Sequence, residues 1–289
     1  NVGFIDGGPR AVLNGVPLAI RWLPRPAPLT FIADPFLVER EGKRVLFVEE
    51  FDYTRDRGVI DALVLDEGGG VIERHRAIDV PTHLSYPHPV DVDGELYLVP
   101  ENCAANEAAL YRCTRFPDRW ERSRALLPAT DAVDTTLFAH EGRWWALCTR
   151  WKQGSNQALY AYFANSLDGP WQEHPQNPVV VDVTSARPAG RPFSVDGVLY
   201  RPAQDCSLSY GCGLAIARID ELTPATYRET VVKRHAAPSL GRWRDGIHTL
   251  NFSGSLGVVD GKAVRYDARK LAWAVRKIRS RIVRALARH

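Results

Sequence analysis

Alternation of apolar and polar residues with a period of two runs through most of the chain, the mark of half-buried β-strands. The clearest runs come in pairs joined by an acidic residue and a glycine. They are FIADPFLVEREGKRVLFVEE, YPHPVDVDGELYLVPEN, DTTLFAHEGRWWALCTR and RPAGRPFSVDGVLYRPAQD, with HTLNFSGSLGVVDGKAVRY as a fifth unit. Asp-Gly or Glu-Gly between such runs predicts a tight hairpin, because both turn residues must take positive φ. The turn glycines read as Gly42, Gly94, Gly142, Gly197 and Gly261, spaced by 52, 48, 55 and 64 residues. In the first three units a marker stands eight places before the glycine: Asp34, Tyr86 and Asp134. A second marker, an aromatic after a turn, falls at Trp120, Trp171 and near Tyr227. Each repeat is then two hairpins, and four short strands in roughly 50 residues make a propeller blade. A β-sandwich would not keep these markers in register. The expected fold is all-β, a five-bladed β-propeller over 1–267 with blades starting near 31, 84, 132, 185 and 246. The strand Val2–Asp6 is expected to close the ring by joining the last blade.

Past residue 267 the period changes. Leu271, Val275, Ile278, Ile282 and Leu286 recur at helical spacing, which predicts a basic amphipathic helix over 268–289. Eight Lys or Arg and no acid lie between Arg269 and His289; taken from the net +3, they leave residues 1–268 at −5. A cationic helix of this kind suits an anionic membrane surface or a partner; packing on the propeller flank suits it equally.

Composition narrows the rest. With 289 residues, 45% hydrophobic and 25% charged, the chain is globular rather than disordered. No stretch of about 18 apolar residues exists to span a bilayer. Methionine is absent, even at position 1, so the sequence is read as starting within a longer frame or after processing. That leaves location open between cytoplasmic and membrane-peripheral. The five cysteines lack C-x-x-C spacing and read as small buried thiols rather than a disulfide or zinc framework. An acidic body argues against nucleic acid. No G-x-S-x-G, P-loop or H-E-x-x-H occurs. His83 and His88 have no third ligand nearby, and neither a metal nor a cofactor is expected. Gly68–Gly70 reads as a loop between blades, and Trp144 and Trp145 as blade core.

In a propeller the first strand of each blade lines the axis and the second returns antiparallel. First-strand starts and second-strand ends therefore share one face. The starts supply Asp34, Tyr86, His88, Asp134, Arg187 and His248. The ends supply Glu49 or Glu50, Glu101, Arg150, Gln204 and Asp205. Crowding of this kind drives carboxyl pKa values apart and yields one acid and one base.

The segments ADPF, DTTLF and SLDGPW resemble the five-bladed propellers of glycoside hydrolase family 43. That resemblance implies Asp34 as general base or nucleophile and Asp134 as the residue that orients and tunes it. The runs FIADPFLVE, FVEEFDY, HLSYPHPV, DGELYLVPE, SARPAG and LYRPAQDCSLSYG resemble the N-terminal propeller of plant glucosamine inositolphosphorylceramide transferases, over roughly 2–267. The hydrolase family takes its general acid, a Glu, from the fourth blade. Here that stretch is Ser185-Ala186-Arg187-Pro188-Ala189-Gly190, with no carboxylate. Arg187 cannot donate a proton at neutral pH, so a hydrolytic site must draw its acid from Glu50, Glu101 or Asp205. Arg150 and Arg187 in the funnel suit an anionic sugar or an activated donor. Tyr86, His88, Gln204, Asp205 and His248 complete the expected substrate contacts. The expected function is an enzyme that hydrolyses or transfers a glycosyl unit; the alternative is a non-catalytic glycan-binding module beside a glycosyltransferase.

Overall fold

Four acidic-glycine pairs with positive φ at both residues, Glu41–Gly42, Asp93–Gly94, Glu141–Gly142 and Asp196–Gly197, fold the chain back on itself. The computed structural model describes residues 1–15, 18–128 and 130–264. It opens with strand β1 (Val2–Ile5), a short helix α1 (Gly8–Leu13) and β2 (Ile20–Trp22). The first blade follows as β3 (Thr30–Arg40), β4 (Lys43–Asp52), β5 (Arg57–Leu65) and β6 (Val71–Ile78). The second is β7 (Ser85–Val92), β8 (Glu95–Glu101), β9 (Glu107–Arg115) and β10 (Arg119–Pro128). The third has β11 (Ala132–His140), β12 (Arg143–Arg150) and β13 (Ala158–Ala164), its outer edge covered by β14 (Gln172–Glu173) and β15 (Val180–Val181). The fourth is β16 (Phe193–Val195), β17 (Val198–Asp205), β18 (Gly213–Leu222) and β19 (Tyr227–Ala236). The last contains β20 (Leu250–Ser253) and β21 (Leu256–Asp260).

The fifth sheet runs β2-β1-β21-β20, so the N-terminal strand lies within the last blade. Val2 pairs with Asp260 and Phe4 with Val258, while the other edge of β1 pairs Gly3 with Trp22. Two turn readings need correction. The fifth hairpin turns at Gly254 and Ser255, since Ser253 pairs with Leu256; Gly261 instead lies past the end of β21. Gly68–Gly70 joins β5 to β6 inside the first blade, where Asp66 N–H bonds the Gly70 carbonyl, and not two blades to each other. The helix expected over 268–289 lies outside the described residues. Among those that are described, no helix is long and apolar enough to cross a membrane.

The core is five wedges between neighbouring blades rather than one central mass. Val45, Phe47, Ile60, Leu84, Leu98 and Phe116 fill the wedge between blades one and two. The second marker has a role here: Trp120 on β10 meets the Phe47 ring edge-on at 5.4 Å, fastening blade two to blade one. Trp145 is 1% exposed and belongs to the wedge between blades three and four; Trp144 packs more loosely on the wedge before it. All five cysteines are free thiols. With the bulk packed between blades, the axis is left to polar side chains.

Candidate functional site

The first marker has a backbone cause. Asp34, Tyr86 and Asp134 all sit in the left-handed region, at φ 50, 45 and 52. Each lies at a register break in its inner strand, between Ala33 and Phe36, Ser85 and His88, and Val133 and Thr136. A bulge there turns one extra residue out of the pleat and aims it at the axis. Non-glycine residues in this region cost of order 1 kcal/mol each, and such strain concentrates at functional sites. Opposite the residue before each marker stand Glu49, Glu101 and Thr149, all buried.

Two charge clusters result. In one, Arg187 Nε donates to Asp134 Oδ2 at 2.8 Å, and Gln204 Nε2 donates to the same oxygen at 3.0 Å. Arg187 Nη1 reaches Asn156 Oδ1 at 3.1 Å, and Nη2 lies 3.8 Å from Glu101 Oε2. Burial and the nearby Asp134 charge push the Glu101 carboxyl up to about 8, so it carries a proton at neutral pH. Burial also raises Asp134, but Arg187 opposes this. Arg187 stays charged: its partners outweigh a burial that works the other way.

In the other cluster the His248 ring lies between two carboxylates, with Nε2 3.2 Å from Asp34 Oδ1 and Nδ1 3.1 Å from Asp260 Oδ2. Burial opposes charge on the imidazole, yet Asp260 and Asp34 together hold it well above its ordinary range. Asp260, despite its burial, is drawn down to about 2 by that imidazolium and by backbone N–H donors. Thr249 Oγ1 donates to Asp34 Oδ1 at 2.8 Å, and Tyr86 N–H donates to Oδ2 at 3.1 Å. Asp34, His248 and Asp260 bring three ligand-type atoms within 4.8 Å of one another. A cation there would have to displace ring protons that already bond both acids.

Tyr210 spans the two clusters. Its ring lies 4.8 Å from the Arg187 guanidinium carbon and 5.2 Å from the His248 ring, and it is 41% exposed. Beside it, between blades five and one, opens a cavity of about 520 Å³ with Ala33, Glu49, His248 and Asp260 among its lining. Burial, reinforced by the Asp34 charge, lifts the Glu49 carboxyl well above its usual range.

The structure therefore brings Asp34, Tyr86, Glu101, Asp134, Arg187, Gln204 and His248 to one axis. Four expected residues are elsewhere. Glu50 points to the opposite side of β4 from Glu49 and is held by Arg74 and by Arg76 Nη2 at 2.9 Å. Arg150 bonds Asp131 Oδ1 at 3.2 Å and lies over Tyr160, on the wrong side of its strand to meet Asp134. Asp205 accepts from Ser207 N–H at 2.9 Å and shapes the loop leading to Tyr210. His88 is fully buried against Phe36 and the backbone of Leu137, and burial drives its pKa down to about 3, a neutral core ring. Asp260 and Tyr210 were not anticipated. Asp260 was hidden by assigning Asp260-Gly261 to a turn. Tyr210 comes from a loop without periodicity.

A five-bladed propeller with carboxylates, an arginine and a histidine on its axis defines the class. Residues 18–246 match the family model described as glucosamine inositolphosphorylceramide transferase 1, N-terminal, and the chain belongs to that family. The glucosamine inositolphosphorylceramide transferase 1 of Oryza sativa subsp. japonica is 37% identical over 211 residues, 71% of this chain and 28% of the relative. That of Arabidopsis thaliana is 32% identical over 238 residues, 80% of this chain and 31% of the relative. The chain thus spans under a third of these relatives. Among solved structures, the catalytic domain of the Coprinopsis cinerea GH62 α-L-arabinofuranosidase aligns with a TM-score of 0.62 at 14% identity, over 82% of this chain and 86% of that one. A family 117 glycoside hydrolase of Zobellia galactanivorans aligns with a TM-score of 0.56 at 12% identity, covering 74% of each chain. At such identities the likeness is one of fold.

Proposed function

We propose that this propeller is a carbohydrate-active domain that hydrolyses or transfers a glycosyl unit at its axis. One observation carries the reading: two buried carboxyls share Arg187, which bonds Asp134 at 2.8 Å and stands 3.8 Å from Glu101, and burial with the Asp134 charge raises the Glu101 carboxyl. A departing glycosidic oxygen needs a proton from one side and attack from the other. Glu101 is the donor in this scheme and Asp34 the base or nucleophile. Asp134 and Arg187 set the electrostatics between them. Glu101 stands in for the carboxylate that the fourth blade lacks, and Glu50, turned outward, has no part.

The test is turnover of Asp34→Asn across a panel of glycosides and glycosyl donors. Asn tolerates the left-handed backbone that Asp34 occupies, so the fold should survive while turnover disappears. Full activity in that variant would sink the assignment. A second reading, glycan binding without chemistry, is favoured by the fact that both Asp34 oxygens already accept internal donors. Tight binding without product from any member of the panel would select it.

A further inference from the structure

The inner strands start at the mouth of the axis, so the connections after each second and fourth strand lie at that end too. Among the described residues ten large hydrophobic side chains are exposed. Six of them stand in or beside these connections: Trp151, Val181, Val183, Leu208, Tyr210 and Val264. Leu208, Val181 and Val264 are the three most exposed of the ten, at 91%, 71% and 70%. Val71, Ile72 and Val198 flank turns at the opposite end. The six belong to one sector, over blades three to five. Val181 pairs with Ala158 at the mouth end of β13, and Cys206 N–H bonds the Val183 carbonyl at 3.0 Å. Ile247 N–H bonds the Gly211 carbonyl at 2.9 Å, and Val264 N–H bonds Asp245 Oδ2 at 2.7 Å.

Charge along the chain says what such a face meets. The connections that carry Trp151 and Leu208, residues 151–157 and 206–212, contain one Lys and no acid. Four acids stand behind them, Asp131, Asp182, Asp205 and Asp245. Each accepts a backbone N–H, from Lys152, Thr184, Ser207 and Val264 in turn. Val264 is the last described residue, and past Asp267 the sequence holds eight Lys or Arg and no further acid. A lipid surface takes up protruding apolar side chains one at a time, with Trp at headgroup level, and a basic stretch beside them selects anionic headgroups. A protein partner needs its contacts joined into one packed patch. We propose that the mouth end of blades three to five docks on an anionic lipid bilayer, with Trp151 and Leu208 entering the interface. The axis then opens at the headgroup layer. The proposal makes no use of the axial chemistry.

The test is sedimentation of the full chain with two kinds of vesicle, phosphatidylcholine alone and phosphatidylcholine with about a third phosphatidylserine. Binding to the anionic vesicles about tenfold stronger than to the neutral ones is expected, and it should weaken as salt rises. Trp151→Ser together with Leu208→Ser should lower that binding about tenfold. Ile72→Ser, at the opposite end, should leave it unchanged. Both tips are exposed, so the double variant should fold, which circular dichroism checks. On vesicles, amide exchange should slow in 151–157 and 206–212 and not at the turn before Ile72. No binding to anionic vesicles at low salt overturns the proposal and leaves the face to a protein partner. Equal binding to both vesicle types overturns it as well. So does binding that the double variant leaves intact, which assigns the contact to the basic sequence alone.

Discussion

Arg187 and Asp134 meet at 2.8 Å from adjacent blades, each under a tenth exposed. The pair ties blade four to blade three where the inner strand of blade four is shortest. Removing one partner leaves the other charged and buried. Arg187→Ala should therefore lower the unfolding free energy by about 3–5 kcal/mol. Replacing both residues by apolar side chains of similar size should recover much of that loss. Urea melts read both variants, and a loss below about 0.5 kcal/mol for Arg187→Ala would show the pair to be dispensable.

The His248–Asp260 contact ties stability to pH in two opposite senses. Asp260 is depressed when folded, so its contribution is complete above the usual carboxyl value of 3.8 and vanishes as pH falls through about 2. His248 is raised when folded. Its contribution is complete below 6.5 and is lost only as pH climbs through that elevated value. The stability gap between the native chain and Asp260→Asn should shrink on acidification from about pH 4 to 2. A gap constant across that range would refute the ion pair.

Glu101 behaves in reverse. Its folded carboxyl sits at about 8 against an ordinary 4.5, so the folded chain keeps a proton that the unfolded chain loses between those values. Its contribution to stability declines across that window and levels off above it. As proton donor it should also give kcat a limb that falls as pH rises through about 8. Glu101→Gln should remove the limb and cut turnover about 10²–10⁴-fold. Carbon NMR of labelled glutamate reads the titration directly, and a Glu101 signal titrating at an ordinary value would exclude it as the acid.

Glu49 and Glu50 are adjacent in sequence and on opposite faces of β4. Glu50→Gln should leave turnover within about twofold and cost about 1 kcal/mol or less, as expected for a partly exposed pair with Arg74 and Arg76. A large loss of activity in that variant would mean that the axis extends to the outer face of the sheet.

At Gly190 the chain passes against the fifth blade with φ 145, and an added Cβ would lie 2.0 Å from the Leu250 carbonyl oxygen. That carbonyl belongs to β20, whose Leu250 N–H bonds Ala189 at 2.7 Å. Gly190→Ala should destabilise by at least about 3 kcal/mol, or the two blades must separate. A thermal melt unchanged from the native chain would contradict this close approach.

The blades could be read from the sequence because their turns are local: an acidic residue and a glycine between alternating runs leave few backbone choices. The axial marker could be read for the same reason, since the bulge repeats at a constant distance from the turn. Glu49 against Glu50 could not. A one-residue shift flips a strand side chain to the other face, and the offset depends on where the partner strand bulges. Arg150 failed on the same point, because Thr149 holds the register position it was assigned. Asp260 is hidden by a plausible turn, Asp-Gly, at the far end of β21 from the real one at Gly254. Tyr210 comes from a loop, where no periodicity tells which way a side chain faces.

Strand β1 sits between β21 and β2, so residues 2 and 260 face each other across neighbouring strands. During synthesis β1, made before the other described strands, must wait for β20 and β21 before its sheet is complete. The four intermediate sheets can stack on one another as they emerge, leaving an open arc with raw edges at both ends. Among the described residues, joining those ends makes the contact of longest sequence separation, and contacts of that span are slow to form. His248 and Asp260 are delivered only by that last event, so half of the axial charge cluster is assembled at the moment the circle shuts.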